Sequence, residues 1–239
     1  MSSLQPNGDA CRYQSIGRRL KAHWRFKLIV GTSIMAVFFV CYFLLQYFPV
    51  FRVWEVPNTA LDRLIGFQPD AIWLYLSLFP YVSLPALMLD NKRDLVVCCV
   101  VLSGLCLVGL MFFLLWPTCI LPPEIDVMQH KNFGPLLFVD KPRNVCPSLH
   151  AAFAVFAAMF THRLASQLGN PRLIRWVSWC WCLGILYSTL ATKQHVAIDI
   201  YAGTLLGAAW GWGYLRFFPL RGMSLNAGNP GDATVEPDA

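Results

Sequence analysis

The chain reads LIVGTSIMAVFFVCYFLLQYF from Leu28 to Phe48, and no residue in this stretch is charged. About 20 consecutive apolar residues are enough for a helix to cross the hydrocarbon core of a bilayer. Two further stretches of similar length, Ala71 to Leu89 and Leu95 to Trp116, also contain no charged residue. The three stretches predict membrane-spanning helices, and therefore an all-α, polytopic membrane protein.

The composition agrees with this interpretation. Hydrophobic residues make up 56% of the chain and charged residues 13%, with a mean hydropathy of +0.50, whereas soluble domains contain about 45–50% apolar and 25% charged residues. Three more stretches are apolar but carry or border ionisable side chains, and they bring the predicted count to six spans: Leu149 to Leu168, Trp176 to Thr192, and Val196 to Phe218.

The predicted organisation has three parts. A basic tail over residues 1–27 is expected in the cytoplasm, and residues 28–219 form a six-span membrane catalytic domain. Residues 220–239 are rich in Gly, Asn, Asp and Pro, a composition that buries too little apolar surface to fold. We therefore expect the C-terminal tail to be disordered.

The lysines and arginines predict the orientation of the bundle. They cluster in the N-terminal tail, after the second span (Lys92, Arg93), between the fourth and fifth spans, and after the sixth. Because Lys and Arg favour cytoplasmic loops, the even-numbered spans are expected to begin on the other side. His150 and His195 begin spans four and six, so both are predicted at the extracytoplasmic end, in the periplasm or a lumen. The net charge of +6 then reflects topology and membrane lipid headgroups rather than nucleic acid.

The two histidines stand in motifs with chemical meaning. Pro147 suits the first turn of a helix, which would leave the N–H groups of Ser148, Leu149 and His150 pointing outward, and such a terminus binds phosphate. His195 and Asp199 are four residues apart and share one face of a helix. The carboxylate can then accept a hydrogen bond from one ring nitrogen while the other acts as a nucleophile.

These residues suit phosphoryl transfer, which needs a nucleophile, a proton donor for the leaving oxygen, and positive charge around the equatorial oxygens. His195 is the candidate nucleophile and His150 the candidate acid. Lys193, together with Lys141 and Arg143 just before the first motif, can supply the charge. With these groups in place, neither a metal nor another cofactor is expected.

The motifs resemble those of the type 2 phosphatidic acid phosphatase superfamily. The residues from Pro147 to His150 are similar to its Pro-Ser-Gly-His signature, and Ser188, His195 and Asp199 are similar to its Ser-Arg-x5-His-x3-Asp signature. The resemblance implies that His195 attacks phosphorus to give a phosphohistidine, that Asp199 orients it, and that His150 protonates the leaving group. It also implies that Ser148 and Ser188 bind the phosphate of a lipid substrate.

Several positions depart from that pattern. The signature Lys-x6-Arg-Pro is absent, Leu149 replaces the glycine, and Thr189 replaces the arginine. Three other segments look more like the inositol phosphorylceramide synthase branch of the superfamily: Trp116-Pro117-Thr118, Pro122-Pro123 and Thr192-Lys193-Gln194-His195. The resemblance therefore implies a lipid phosphatase acting on a phosphoester or pyrophosphate, with transfer of a lipid headgroup as the alternative.

Other interpretations of the same residues remain open. His150, His195 and Asp199 can hold zinc if Cys146 adds a ligand, or they can relay protons in a transporter. The missing cationic signature also leaves room for an inactive scaffold. Lys193 can snorkel toward the interface or pair with Asp199 instead of binding phosphate.

Overall fold

The computed structural model describes residues 16–121, 142–165 and 171–218. The predicted C-terminal tail and Lys141 lie outside these ranges, whereas residues 16–21 of the predicted N-terminal tail are helical. A 3-10 helix covers Pro69–Ala71. The helices and strands are α1 (Trp24–Tyr47), β1 (Trp54–Glu55), α2 (Ala60–Leu64), α3 (Ile72–Leu76), α4 (Leu78–Leu87), α5 (Lys92–Leu115), β2 (Thr118–Cys119), α6 (Leu149–Ala165), α7 (Pro171–Ala191) and α8 (Ala197–Phe217).

Four helical segments are long and apolar enough to cross a membrane: α1, Pro69–Leu87, α5 and α7. The prediction of a helical membrane protein is confirmed to that extent. The count of six spans is not established by length and hydropathy, because α6 is a shorter apolar helix of 17 residues and α8 is not among the four.

The second predicted span is a broken helix rather than a continuous one. It runs through the 3-10 turn, α3 and α4, with the break at Ser77. Pro80 has no N–H to bond the carbonyl of Leu76, and its ring crowds that carbonyl, which interrupts the helix. The Ser77 hydroxyl donates to the carbonyl of Leu74 at 2.6 Å and accepts from Nε1 of Trp181 at 2.8 Å. The break is thereby fixed against α7.

Two other helix starts differ from the prediction. Helix α7 begins at Pro171 rather than Trp176, because proline is favoured in the first helical turn. Helix α8 begins at Ala197, so His195 lies in the loop before the helix instead of on it.

Helices α6 and α8 approach each other very closely. A Cβ added at Gly203 would lie 2.1 Å from the carbonyl oxygen of Ser148, and one at Gly207 would lie 2.3 Å from that of Ala152. Only glycine allows backbones to come this near, as in the small-residue contacts of membrane helices. The crossing sets Ser148, at the start of α6, against the first turn of α8.

The helix ends form two distinct surfaces. At the first, which we call the histidine end, the N–H of Ser148 bonds the carbonyl of Asp199 at 3.0 Å, and β1 pairs with β2. At the opposite basic end, Nζ of Lys27 donates to the carbonyl of Leu87 at 2.7 Å, and Nε of Arg175 to that of His162 at 3.1 Å. The two histidine motifs therefore lie at the end of the bundle away from these basic side chains.

Candidate active site

His195 and Asp199 form the predicted pair. Nδ1 of His195 lies 3.2 Å from Oδ2 of Asp199, whose side chain is fully buried. The same oxygen accepts from the backbone N–H of Val196 at 3.3 Å, so the carboxylate is fixed by the first turn of α8. With the Nδ1 proton directed at the carboxylate, the lone pair of the ring is on Nε2. That is the arrangement a nucleophilic histidine needs.

His150 lies beside this pair. Its ring centroid is 5.8 Å from that of His195 and 4.0 Å from that of Tyr75, with the Tyr75 and His150 planes 17° apart. Phe79 adds an edge contact at 6.3 Å. The two histidine rings are close enough for one phosphoryl group to contact both, which the proposed nucleophile and acid require.

Two buried polar atoms of this cluster have no hydrogen-bond partner among the described residues. They are Nε2 of His150 and Oδ1 of Asp199. Leaving a buried donor or acceptor unsatisfied costs about 1–3 kcal/mol, and native proteins contain few such groups outside functional sites. The two unsatisfied atoms are therefore candidates for contact with a polar ligand.

Ser148 is the N-cap of α6, and Pro147 precedes it, so the expectation that Pro147 occupies the first turn is wrong. The Ser148 hydroxyl oxygen accepts from the N–H of Ala151 at 3.3 Å, and the Ser148 N–H bonds the Asp199 carbonyl. The close approach at Gly203 places the α8 backbone against the α6 terminus, and this brings the Asp199 carbonyl within reach of the Ser148 N–H. The hydroxyl can still donate to a ligand, because a serine that accepts one bond keeps its own proton.

His150, His195 and Asp199 all lie within a region that matches a known protein family. Residues 93–223 match the family described as the PAP2 superfamily, and this is more than half of the chain. The chain belongs to the PAP2 superfamily. Its members are generally phosphatases or phosphotransferases that act on phosphoesters. Neither a curated protein nor a solved structure matches the chain.

The two predicted phosphate-binding cations that the structure describes both bond backbone carbonyls. Nζ of Lys193 donates to the carbonyls of Asp62, at 2.7 Å, and Ile65. Arg143 is exposed and donates to the carbonyl of Gln46 at 3.5 Å. Lys141 lies outside the described residues. Lys193 and Arg143 are therefore both engaged by backbone acceptors in the described residues.

Ser188 lies in the last turn of α7, the helix that ends shortly before His195. It is fully buried in α7, and its hydroxyl donates to the Ile185 carbonyl at 2.7 Å. The hydroxyl of Thr192 donates in turn to the Ser188 carbonyl at 2.8 Å. These bonds support the end of α7, just before the loop that carries His195.

Cys146 bears on the zinc interpretation. Burial first, and the Asp199 carboxylate second, raise the pKa of the Cys146 thiol to about 11. A bound metal ion would itself deprotonate a coordinating thiol, so the zinc interpretation depends on how the possible ligands are arranged. Within residues 16–121, 142–165 and 171–218, no group of three His, Cys, Asp or Glu side chains is arranged to hold a metal ion.

Two residues that the sequence did not single out contact the site. Tyr75 stacks on His150, and Asp62 bonds the first N–H of α8 through its carboxylate. Both precede the region matched to the PAP2 superfamily. The pattern Thr59-x-x-Asp62 is a helix-start signal, but nothing in it indicates a contact with a residue 135 positions away.

Proposed function

We propose that this protein is an integral membrane phosphatase that removes phosphate from an amphiphilic phosphoester or pyrophosphate through a phosphohistidine at His195. The observation that carries the proposal is the placement of His150 5.8 Å from His195, centroid to centroid, with Asp199 3.2 Å behind the latter. A nucleophile, its orienting carboxylate and a second proton-transfer group are thus side by side.

The first step is an in-line attack. Nε2 of His195 forms a bond to phosphorus while the bond from phosphorus to the lipid oxygen breaks. That oxygen takes a proton from protonated His150 and leaves as an alcohol, or as a phosphate ester when the substrate is a pyrophosphate. The Asp199 carboxylate holds the Nδ1 proton and offsets the positive charge that develops on the attacking ring.

The second step regenerates the enzyme. Neutral His150 accepts a proton from water, the oxygen of that water attacks phosphorus, and the bond from phosphorus to Nε2 of His195 breaks. Inorganic phosphate leaves, and both rings return to their starting states. Headgroup transfer would begin with the same attack on a phosphodiester donor. His195 would displace the diacylglycerol oxygen, carry the phosphoryl headgroup, and pass it to the hydroxyl of a second lipid instead of to water.

The phosphate oxygens need donors. We assign this role to Ser148 and the first turn of α6, where the helix dipole favours an anion, with Ser188 as a further candidate. Arg143, Lys141 and Lys193 are the candidate cations. The hydrogen bonds of Lys193 to two carbonyls make it the weakest of the three candidates.

The membrane arrangement of the proposal has six spans, with the N-terminus in the cytoplasm and the histidine end outside. Helices α6 and α8 then cross beside the four segments of sufficient length and hydropathy. Their close contact at Gly203 and Gly207 is typical of packed membrane helices. The substrate headgroup would enter from the outer face while its chains remain in lipid.

The proposal is tested with purified protein and a panel of lipid phosphates, with and without diacylglycerol, ceramide or inositol lipids. Release of free phosphate supports hydrolysis, whereas formation of a new phospholipid indicates headgroup transfer. His195→Ala should lower turnover about 10⁴-fold or more, as loss of a covalent nucleophile does, and should abolish the acid-labile phosphoenzyme.

His162→Ala is the matched control for that variant. It removes a histidine from the other end of α6, where the ring accepts from Nε1 of Trp179. Turnover should remain at the wild-type rate. A folded His195→Ala protein that retains near-wild-type turnover would exclude the phosphohistidine mechanism.

A further inference from the structure

The short helix α2 holds the chain on both sides of His195. Lys193, two residues before it, donates Nζ to the carbonyls of Asp62, at 2.7 Å, and Ile65. Ala197, two residues after it, donates its backbone N–H to Oδ1 of Asp62 at 2.8 Å. The α2 segment therefore forms hydrogen bonds with the loop of His195 on both sides of that residue.

The Asp62 carboxylate is itself rigidly placed. Its second oxygen, Oδ2, accepts from the backbone N–H of Thr59 at 2.6 Å and from the Thr59 hydroxyl at 2.7 Å. Asp62 is 8% exposed. Hydrogen bonds to an ionised acceptor are roughly twice as strong as neutral ones. Three such bonds fix the carboxylate and, through it, the first N–H of α8.

The loop that α2 holds is conformationally unfavourable by itself. Lys193 has a φ of 55°, in the left-handed region that residues other than glycine rarely adopt. Such a residue keeps its conformation only when its surroundings determine it. The two carbonyls that accept from Lys193 provide one of these constraints, and the bond from the His195 N–H to the Thr189 carbonyl, at 3.3 Å, provides another.

We propose that Asp62 is a positioning residue for His195. This inference rests on the proposed function, in which His195 attacks phosphorus. By holding the N–H of Ala197, the Asp62 carboxylate keeps the start of α8 in place, so that the His195 ring and Asp199 stay aligned for in-line attack. Asp62 lies outside the region matched to the PAP2 superfamily, so the role belongs to this chain's own N-terminal half.

The central test is Asp62→Asn. An asparagine has one acceptor oxygen, so it can accept a hydrogen bond from either Ala197 or Thr59. Its amide NH₂ group would then face the N–H of the remaining residue, and that bond would be lost. A misplacement of about 1 Å can cost about 100-fold in rate, so kcat should fall by about that factor while KM changes less than about threefold. Inhibition by vanadate, a mimic of the transition state, should weaken in parallel with kcat, whereas inhibition by inorganic phosphate should not.

Two further variants make the test specific. Thr59→Val removes one bond to Oδ2 but keeps the carboxylate, so kcat should fall in the same direction by about tenfold, roughly the effect of one hydrogen bond to a charged group. It also provides the test if Asp62→Asn does not fold. Asp70→Asn changes an exposed carboxylate in the 3-10 helix that follows α2 and should leave kcat, KM and vanadate inhibition unchanged.

The outcomes separate the two proposals when wild type and His195→Ala are assayed in the same preparation. No turnover by the wild type on any phosphoester overturns both proposals. Wild-type turnover that depends on His195, combined with a folded Asp62→Asn protein at the wild-type kcat, overturns the positioning role alone. So does a variant whose KM rises and whose vanadate and phosphate inhibition weaken equally, because that pattern indicates a general loss of binding.

Discussion

Tyr75 lies flat against His150, with ring centroids 4.0 Å apart and planes 17° apart. The tyrosine is almost fully buried, at 2% exposure, and comes from α3, just before the break in the second helical segment. It therefore restrains the orientation of the ring that is proposed to donate the proton. Stacked aromatic pairs contribute about 0.5–1.5 kcal/mol beyond the area they bury, which is enough to favour one ring orientation.

The stack predicts different effects for two substitutions of Tyr75. Tyr75→Phe keeps a flat ring against His150, so turnover should stay within about threefold of wild type. Tyr75→Leu removes it and should lower turnover on a lipid phosphate by about tenfold, which corresponds to the energy of such a pair. The measurement is kcat for each variant in the same detergent, with the melting temperature as a control for folding. Equal rates for the leucine and phenylalanine variants would contradict a role for the stack.

His150→Ala should have an effect that depends on the leaving group. General acid catalysis contributes about 10²–10⁴-fold when the departing oxygen is strongly basic, as the alkoxide of a lipid is. Nitrophenolate needs little protonation, so the loss on nitrophenyl phosphate should be less than about tenfold. The ratio of kcat values on the two substrates is the measurement. An equal loss on both would argue against His150 as the acid.

The chemistry should not depend on a dissociable metal ion. The groups assigned to the site are histidines, a carboxylate, a serine and a helix terminus, so activity should survive incubation with EDTA. Vanadate should inhibit by occupying the site as a mimic of the trigonal phosphoryl group. Activity that disappears with chelator and returns with zinc would favour the metal site instead.

The glycine crossing predicts a contrast within one helix. A Cβ at Gly203 would lie 2.1 Å from the Ser148 carbonyl oxygen, whereas one at Gly213 has no atom within 4 Å. Gly203→Ala should cost about 1–3 kcal/mol through overpacking and should lower activity, because Ser148 must shift. Gly213→Ala should be neutral or stabilise α8 by about 0.5–1 kcal/mol. Thermal unfolding in detergent and turnover measure both effects.

Part of the site could be predicted from the sequence because it depends on local spacing. The four-residue interval between His195 and Asp199 predicted their contact, which forms even though His195 precedes the helix. The hydropathy of the second span concealed its break, although Pro80 obeys the general rule for prolines in helices. Local patterns of this kind reach only a few residues along the chain.

The rest of the site depends on contacts between distant parts of the chain. Asp62 and Ala197 are 135 positions apart, and no periodicity in either segment indicates that they meet. The position of the Lys193 side chain depends on a left-handed backbone conformation and on two carbonyl acceptors. Every residue has a carbonyl, so no sequence motif indicates which ones will accept. The same is true of Tyr75, which reaches His150 only because the bundle brings α3 against α6.

The charges of the bundle predict its sidedness. The histidine end contains the exposed Leu64, at 80% exposure, whereas Asn91 caps the start of α5 at the basic end. If Lys and Arg mark the cytoplasmic side, a membrane-impermeant maleimide should label Leu64→Cys from outside intact cells. It should label Asn91→Cys only after permeabilisation.

Both variants are made in a background from which the nine native cysteines have been removed, and that background should not label under either condition. The two positions lie at opposite ends of the bundle, so opposite labelling identifies the face on which His150 and His195 meet their substrate. Labelling of Asn91→Cys from outside, with Leu64→Cys protected until permeabilisation, would place the histidines in the cytoplasm. The enzyme would then act on lipids of the inner leaflet, because a headgroup can reach the pair only from the side on which the two helices begin.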